Sequence, residues 1–144
     1  MAVRVKLKIR CKLSDKELET SALVNTGFET ATPQLLLPVE AARALGLYPL
    51  PPEARSISLG TAGGPTVMFS IPRCLEVWVV TPDRSVGSCE ADALIALAEE
   101  EVLINDKLSE ALGLILLAVG SGRWRFTDDP PNRVRSSEAP QYWR

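Results

Sequence analysis

The sequence contains Ala22-Leu23-Val24-Asn25-Thr26-Gly27-Phe28-Glu29, a stretch in which an apolar strand runs directly into small polar residues. Asn25 supplies an amide and Thr26 a hydroxyl at the point where the predicted strand leaves the core. Gly27 has no Cβ, so the backbone there can turn sharply and lie close to a ligand. The pattern predicts a polar loop at the mouth of a buried strand.

The composition is that of an ordinary globular domain. The chain has 144 residues, of which 46% are apolar and 24% are charged, with a net charge of -2. It contains no histidine, which excludes the usual Ser-His-Asp and Cys-His catalytic sets and every His-ligated zinc site. General acid–base chemistry would therefore fall to carboxylates, Lys or Tyr. We predict no metal and no cofactor.

The chain carries no sign of a membrane segment. The longest apolar run, residues 111–119, is too short to cross a bilayer. Residues 1–6 alternate between apolar and basic side chains and lack the continuous apolar segment of a secretory signal. Cys11, Cys74 and Cys89 include no CxxC pair, so we expect three reduced thiols that act as small buried hydrophobes. The sequence predicts a cytoplasmic protein, and scarce Asn and Gln with Pro-rich connections hint at a thermophilic source.

The hydropathy pattern predicts a mostly β protein. Residues 3–13 alternate strictly between apolar and basic side chains, which predicts a strand with one buried face. Residues 17–24 predict a second, antiparallel strand that delivers Asn25 to its end. Further strands are predicted at residues 54–61, 65–71, 75–80, 89–97, 102–104, 114–118 and 123–126, and short helices at residues 38–46 and before Gly113. This order predicts an all-β class with short helices and a closed, barrel-like sheet.

Two stretches fall outside these elements. Thr61-Ala62-Gly63-Gly64 predicts the glycine-rich tip of a hairpin. A phosphate-binding loop is the alternative, but no GxGxxG or Gly-Lys-Ser/Thr pattern accompanies it. Residues 127–144 contain three prolines and little periodicity, so we interpret residues 1–126 as the domain and residues 127–144 as a C-terminal tail, ordered only if it docks.

Two motifs in this order resemble the hallmarks of the retropepsin-like aspartic peptidases. Leu23-Val24-Asn25-Thr26-Gly27 resembles the family's apolar-apolar-Asp-Thr-Gly loop, and residues 102–114 resemble its apolar-apolar-Gly segment followed by a helix that ends in Leu-Gly. Asn105 stands in the place of that glycine. Residues 37–47 and 58–66 resemble the family's helix and flap. The resemblance covers about residues 3–126 and implies a homodimer with a site on its two-fold axis, under two flaps.

The resemblance also implies roles for single residues. Asn25 stands where the family has its catalytic Asp, Thr26 would hydrogen-bond across the two-fold axis, and Gly27 would offer its carbonyl to a bound peptide. Glu29 stands near a position where the family often has a substrate-binding Asp, and a solvated loop carboxylate is its alternative interpretation. The flap tip, Thr61, Ala62, Gly63 and Gly64, would close over an extended peptide by main-chain hydrogen bonds. The other candidate acids are Asp83, Asp92 and Asp106, of which Asp106 is favoured by a helix dipole.

Asn25 determines what the resemblance implies for activity. The family mechanism uses two aspartates that share one proton, and an amide can neither share that proton nor act as a base. Either an engineered Asp→Asn change or a natural pseudoenzyme would explain the residue.

Three functions follow from these observations. The first is a homodimeric aspartic endopeptidase scaffold for peptides or unfolded proteins, catalytically silent as written. The second is a non-catalytic peptide-binding or dimerisation module. The third is nucleic-acid binding through the basic face of residues 3–13 and the basic and aromatic residues of 123–126 and 142–144, which the negative net charge disfavours.

Overall fold

The computed structural model describes residues 2–61 and 64–144. Its strands are β1 (Arg4–Cys11), β2 (Glu17–Val24), β3 (Gln34–Pro38), β4 (Arg55–Thr61), β5 (Gly64–Val80), β6 (Ser85–Ala96), β7 (Val102–Ile104), β8 (Leu114–Ala118), β9 (Arg123–Phe126) and β10 (Arg135–Ser136). The two helices, α1 (Val39–Ala44) and α2 (Asp106–Ala111), have six residues each. The protein is therefore mostly β with short helices, as predicted.

Six strands close into a barrel. They follow the order β1-β2-β7-β3-β6-β5, and β5 returns to pair with β1 in antiparallel register, Ile9 opposite Val77. β4 pairs with β5 alone among the described strands, so the β4–β5 hairpin continues beyond the closed part of the sheet. β8, β9 and β10 form a separate three-stranded sheet. The predicted closed sheet is confirmed.

The strict alternation of β1 explains how the barrel fills. Val5, Leu7, Ile9 and Cys11 are fully buried, while the cations between them lie on the outer face. The same side of β2, β5 and β6 supplies further aliphatic side chains to this core. Burial of aliphatic surface stabilises the barrel by roughly 25 cal/mol per Å² removed from water.

Three elements differ from the prediction. β3 was not predicted, because the apolar residues that follow Gln34 show no alternation and lead directly into α1. The two strands predicted at 65–71 and 75–80 are one strand, β5, since a bulge between Ile71 and Leu75 carries the chain through Arg73 at φ 52°. β6 begins at Ser85, four residues before the strand predicted for residues 89–97.

The C-terminal residues dock on the barrel. β10 pairs with β9, and the Glu138 N–H donates to the Arg4 carbonyl at 2.9 Å. The indole Nε1 of Trp143 donates to Thr20 Oγ1 at 2.9 Å, and its ring packs against the main core. These contacts hold residues 135–144 across the outer sides of β1 and β2.

Arg135 fixes the start of this docked segment. Its guanidinium donates to Asp129 Oδ2 at 2.8 Å and to Asp83 Oδ1 at 2.6 Å, and it lies over the ring of Phe126, 5.0 Å from the centroid. The Arg135 and Asp129 side chains are almost completely buried. The hydrogen bonds from Arg135 hold the pKa values of Asp129 and Asp83 well below their usual range.

We expect this cluster to make the protein acid-sensitive. A carboxyl whose folded-state pKa is depressed stabilises the fold above its ordinary pKa of 3.8, and that contribution is lost as the pH falls. Asp129→Asn should therefore lower the free energy of unfolding by about 2 kcal/mol or more at neutral pH. Between roughly pH 5 and pH 2, the free energy of unfolding measured in urea should also decrease less for this variant than for the unchanged chain.

The matched control is Asp128→Asn, the same change on the exposed neighbour that pairs with Arg84. It should change the free energy of unfolding much less than Asp129→Asn does, because an exposed ion pair contributes little. Equal effects of the two variants would show that the buried ion pair has no special role.

Candidate active site

The Asn25 loop begins where β2 leaves the barrel. The Asn25 N–H donates to the Ile104 carbonyl at the end of β7 at 3.0 Å, which anchors the loop to the second motif. Asn25 Oδ1 accepts a hydrogen bond from the Gly27 N–H at 3.1 Å, an Asx turn that fixes the amide. Asn25 is half-buried, while Thr26, Gly27 and Glu29 are exposed. The polar groups of the motif therefore lie at the surface of a single chain.

The backbone conformation of Gly27 is one that other residues can also adopt. The turn forms, but the φ of Gly27 lies outside the left-handed region, and a Cβ built there would meet only Asn25 Oδ1, at 3.6 Å. This is an ordinary van der Waals distance. The turn itself therefore does not require a glycine in a single chain, and the bare backbone is exposed. That Gly27 lies close to a ligand stays a prediction.

Phe28 joins the loop to the β4–β5 hairpin. Its ring packs on a second apolar cluster, separate from the barrel core, which includes Leu36 and Leu94 together with Ile57 of β4 and Met68 of β5. The loop and the base of the hairpin thus share one apolar surface. The sequence analysis missed this role of Phe28, because the position only shows a large apolar residue in a loop.

The β4–β5 hairpin has the register expected of a glycine-tipped flap. The ladder runs from Arg55 opposite Ser70 to Thr61 opposite Gly64. Gly64 has a φ of +105°, and a Cβ there would meet no atom within 4 Å, so its backbone conformation favours glycine. The remaining predicted tip residues, Ala62 and Gly63, lie outside the described residues.

Asn105 connects three parts of the site. It is fully buried, and its Oδ1 accepts hydrogen bonds from the Leu108 and Gln34 N–H groups, both at 2.9 Å. Its Nδ2 donates to Thr30 Oγ1 at 2.7 Å and to the Thr32 carbonyl at 2.9 Å. The amide therefore caps α2 and ties the end of the Asn25 loop to β3. A cap residue before a helix can be recognised in a sequence, whereas the bonds to Thr30 and Thr32 cannot.

Asp92 holds the other side of the same segment. Its carboxylate accepts hydrogen bonds from Thr32 Oγ1 at 2.7 Å, Gln34 Nε2 at 3.3 Å and the Arg73 N–H at 2.8 Å. Arg73 is the residue in the β5 bulge with positive φ. Asp92 is therefore engaged in fixing the bulge and the loop, rather than exposed for catalysis.

The other two candidate acids, Asp83 and Asp106, have structural partners. Asp83 belongs to the Arg135 ion pair, and Asp106 begins α2, its N–H donating to the Phe28 carbonyl at 3.1 Å. Glu29 and Asp106 line a shallow depression of about 300 Å³ beside the loop. Another depression, about 350 Å³, lies at the docked C-terminal segment and includes Arg135.

The cysteines lie in two environments. Cys11 and Cys74 are buried, as predicted, whereas Cys89 is only half-buried, and its thiol donates to the Ala111 carbonyl at 3.4 Å. The prediction of a fully buried Cys89 is therefore wrong. The half-exposed position follows from the start of β6, whose first residues lie near the rim of the barrel.

The basic face of β1 is covered by carboxylates. Its cations contact one aspartate of the β1–β2 turn and several glutamates. The glutamates lie in β2, β5 and β6 and in the segment before β7. The pairs are Arg4–Glu101, Lys6–Glu19, Lys8–Glu17, Arg10–Asp15, Arg10–Glu76 and Lys12–Glu90. A face with alternating charges attracts a polyanion much less than a purely basic face.

We therefore expect no specific binding of DNA or RNA. Binding through this face would require the glutamates to be displaced by phosphates. A fluorescence anisotropy titration with single- and double-stranded oligonucleotides at physiological ionic strength should show no complex below about 10 µM. A salt-dependent complex of sub-micromolar affinity would contradict this prediction.

No protein-family model matches the chain, and a search of curated proteins returns no match. Within residues 2–61 and 64–144, neither helix has the length and hydropathy needed to cross a bilayer. The interpretation of the site therefore depends on its own geometry and on the sequence motifs.

Proposed function

We propose that this chain is one subunit of a homodimeric, retropepsin-like aspartic endopeptidase scaffold that is catalytically silent because Asn25 replaces the Asp. One observation carries the proposal. A polar Asn-Thr-Gly loop leaves a closed barrel beside the second motif, with Asn25 bonded to Ile104, and shares an apolar surface with a glycine-tipped hairpin.

The arrangement supports peptide binding in an extended form. Thr26 and Gly27 are exposed, and Gly27 presents backbone without a side chain. A peptide lying between this loop and the hairpin could form main-chain hydrogen bonds on both sides, with its apolar side chains against the Phe28 cluster. Glu29, at the rim of the neighbouring depression, could contact the peptide backbone.

The amide accounts for the silence. In a paired site, two carboxylates would share a proton, one activating water and the other protonating the carbonyl oxygen. Two amides can hold a water molecule by hydrogen bonds, but they cannot remove its proton. The proposal is tested by assaying the chain as written and its Asn25→Asp variant on unfolded protein substrates.

The proposed dimer uses the second sheet. β8 is the outer strand of this sheet and pairs only with β9 among the described strands. Its five residues, Leu114–Ala118, are all apolar. The side chains of Leu117 and of Val119, the residue after the strand, are exposed. Soluble proteins usually protect such an edge with charged residues or proline. Antiparallel pairing of β8 with its copy would cover the edge with two-fold symmetry.

We expect a homodimer in solution. Sedimentation equilibrium at tens of micromolar should give twice the chain mass of 15.7 kDa. Leu117→Lys should shift the equilibrium to the monomer, because it places a charge on the apolar edge. The matched control is Leu13→Lys, on a similarly exposed leucine in the β1–β2 turn, and it should leave the dimer intact. A chain that sediments only as a monomer would contradict the proposal.

A non-catalytic peptide-binding module is the second candidate. The observation that favours it is Asn25 itself, which holds the loop through its bond to Gly27 without any acid. This candidate predicts that peptide binding persists while Asn25→Asp gives no cleavage.

A further inference from the structure

Two of the three thiols lie together where the barrel closes. Cys11 is the last residue of β1, and Cys74 lies in β5, the strand that pairs with β1. The Lys12 N–H donates to the Cys74 carbonyl at 2.8 Å, so the two cysteines are neighbours across this strand pair. Both side chains are buried in the same core, with exposed fractions of 0% and 3%.

The β5 bulge explains why both sulfurs lie on one face. In a regular strand, Cys74 and Leu75 would point to opposite sides of the sheet. Here the register shifts between Ile71 and Leu75, and Cys74 and Leu75 are both buried. A bulge changes the direction of one side chain, and in this chain Cys74 lies in the same core cluster as Cys11. The Asp92 bond to the Arg73 N–H holds the bulge in this shape.

The two thiols differ in pKa. A hydrogen bond from the Cys74 thiol is the main cause that lowers the pKa of Cys11, aided by Ser14 and by the N–H groups of the turn. The same bond, together with burial, raises the pKa of Cys74. One sulfur is thus stabilised as the thiolate while the other keeps its proton. This is the arrangement in which one thiol attacks an oxidant and the second resolves the product.

We propose that Cys11 and Cys74 form an oxidation site, at which hydrogen peroxide converts the pair into a disulfide that links β1 to β5. In the first step, the Cys11 thiolate attacks one oxygen of the peroxide, the O–O bond breaks, and a sulfenic acid and hydroxide form. In the second step, the Cys74 sulfur attacks the Cys11 sulfur, and the S–O bond breaks. The second hydroxide leaves, and the protons of the two thiols convert both hydroxides to water. Two thiols lose two electrons in total, and one peroxide gains them.

Local opening gives the oxidant access. Cys11 is followed directly by the exposed turn residues Lys12 and Leu13. Opening of this turn, which breaks the bonds of the Cys11 N–H to the Lys16 carbonyl and of the Lys12 N–H to the Cys74 carbonyl, would expose its sulfur. The link would close the loop between residues 11 and 74 and pin the strand pair that completes the barrel. Such a link restricts the unfolded chain and so stabilises the fold.

The test uses the reduced full-length protein under native conditions. It is treated with excess hydrogen peroxide, the remaining thiols are alkylated in denaturant, and the peptides are mapped by mass spectrometry. We expect a peptide pair joined through Cys11 and Cys74, a loss of two hydrogens from the chain, and an increase in Tm on the order of 10 °C that dithiothreitol reverses.

Two variants complete the design. Cys89→Ser, on the half-buried third thiol, should form the same link and show the same Tm increase. Cys74→Ser should instead accumulate oxidised Cys11 without a link. If Cys74→Ser does not fold, the peptide map of the unchanged chain still gives the answer. A link found only after chemical unfolding, links only through Cys89, or an oxidised native chain with Cys11 and Cys74 both still reduced would each overturn the proposal.

Discussion

Asn25→Asp is expected to give this chain endopeptidase activity with an acidic pH optimum. In the proposed dimer the two carboxylates would lie close together, so ionising both is unfavourable and one keeps its proton well above its ordinary pKa. The singly protonated pair supplies both the base and the acid, and it exists only on the acid side of neutrality. The rate of peptide-bond cleavage should increase by at least about 10³-fold over the chain as written.

The structure indicates that the substitution preserves the loop. Asn25 uses only Oδ1, which accepts from the Gly27 N–H, and a carboxylate oxygen can accept the same bond. Within the described part of the chain, the Asn25 Nδ2 donates no hydrogen bond that the change would remove. Asp should therefore fit with little change in stability.

The assay compares both proteins on unfolded protein substrates from acid to neutral pH. The matched control is Asn132→Asp, the same chemical change at an exposed position far from the motif in sequence, and it should gain no activity. The variant's cleavage should be blocked by a statine-type inhibitor. If the variant folds and dimerises without such cleavage, the site has decayed beyond Asn25, and the peptide-binding module becomes the better explanation. Cleavage by the unchanged chain would show that Asn25 does not silence the site.

The sequence predicted the parts of the fold that local patterns encode. The alternation of Val5, Leu7 and Ile9 with cations required a half-buried strand, and β1 is that strand. Proline and glycine bounded α1, while Gly113 marked the end of α2. These signals act over a few residues, so one sequence is enough to detect them.

The parts that failed depend on distant contacts. β3 has no period because both of its faces are buried, and only its neighbours β6 and β7 show that it is a strand. β5 continues through Pro72 and Arg73 because the Asp92 carboxylate, some twenty residues away, stabilises the bulge. Neither contact can be predicted from the residues next to it in sequence.

The candidate site shows the same division. The position of Asn25 at the end of a buried strand followed from the motif. The packing of Phe28 on the cluster that includes Met68, and the bonds of Asn105 to Thr30 and Thr32, did not, because they join segments that are forty or more residues apart in sequence. Asn105 stands where the resembled peptidase family has a glycine, which by itself indicates no hydrogen bonds. In the structure its amide instead makes four hydrogen bonds.

Asn105→Ala is expected to cause the largest loss of stability among the polar substitutions in the site. The change leaves the buried Leu108 N–H without its partner and removes the partly buried bonds to the Gln34 N–H and the Thr32 carbonyl. Each unsatisfied buried group costs about 1–3 kcal/mol, so we expect the free energy of unfolding to fall by about 3–5 kcal/mol. Urea unfolding followed by circular dichroism measures this directly.

Two further variants separate the amide from the backbone. Asn132→Ala removes an exposed amide and should change stability by less than about 0.5 kcal/mol. Asn105→Gly introduces the family's own residue, and it should be at least as destabilising as alanine, because the four hydrogen bonds need the amide and a glycine adds backbone freedom. A stable Asn105→Gly protein would show that the bonds to Thr30 and Thr32 are dispensable, and that the loop carrying Asn25 is held by its backbone contacts alone.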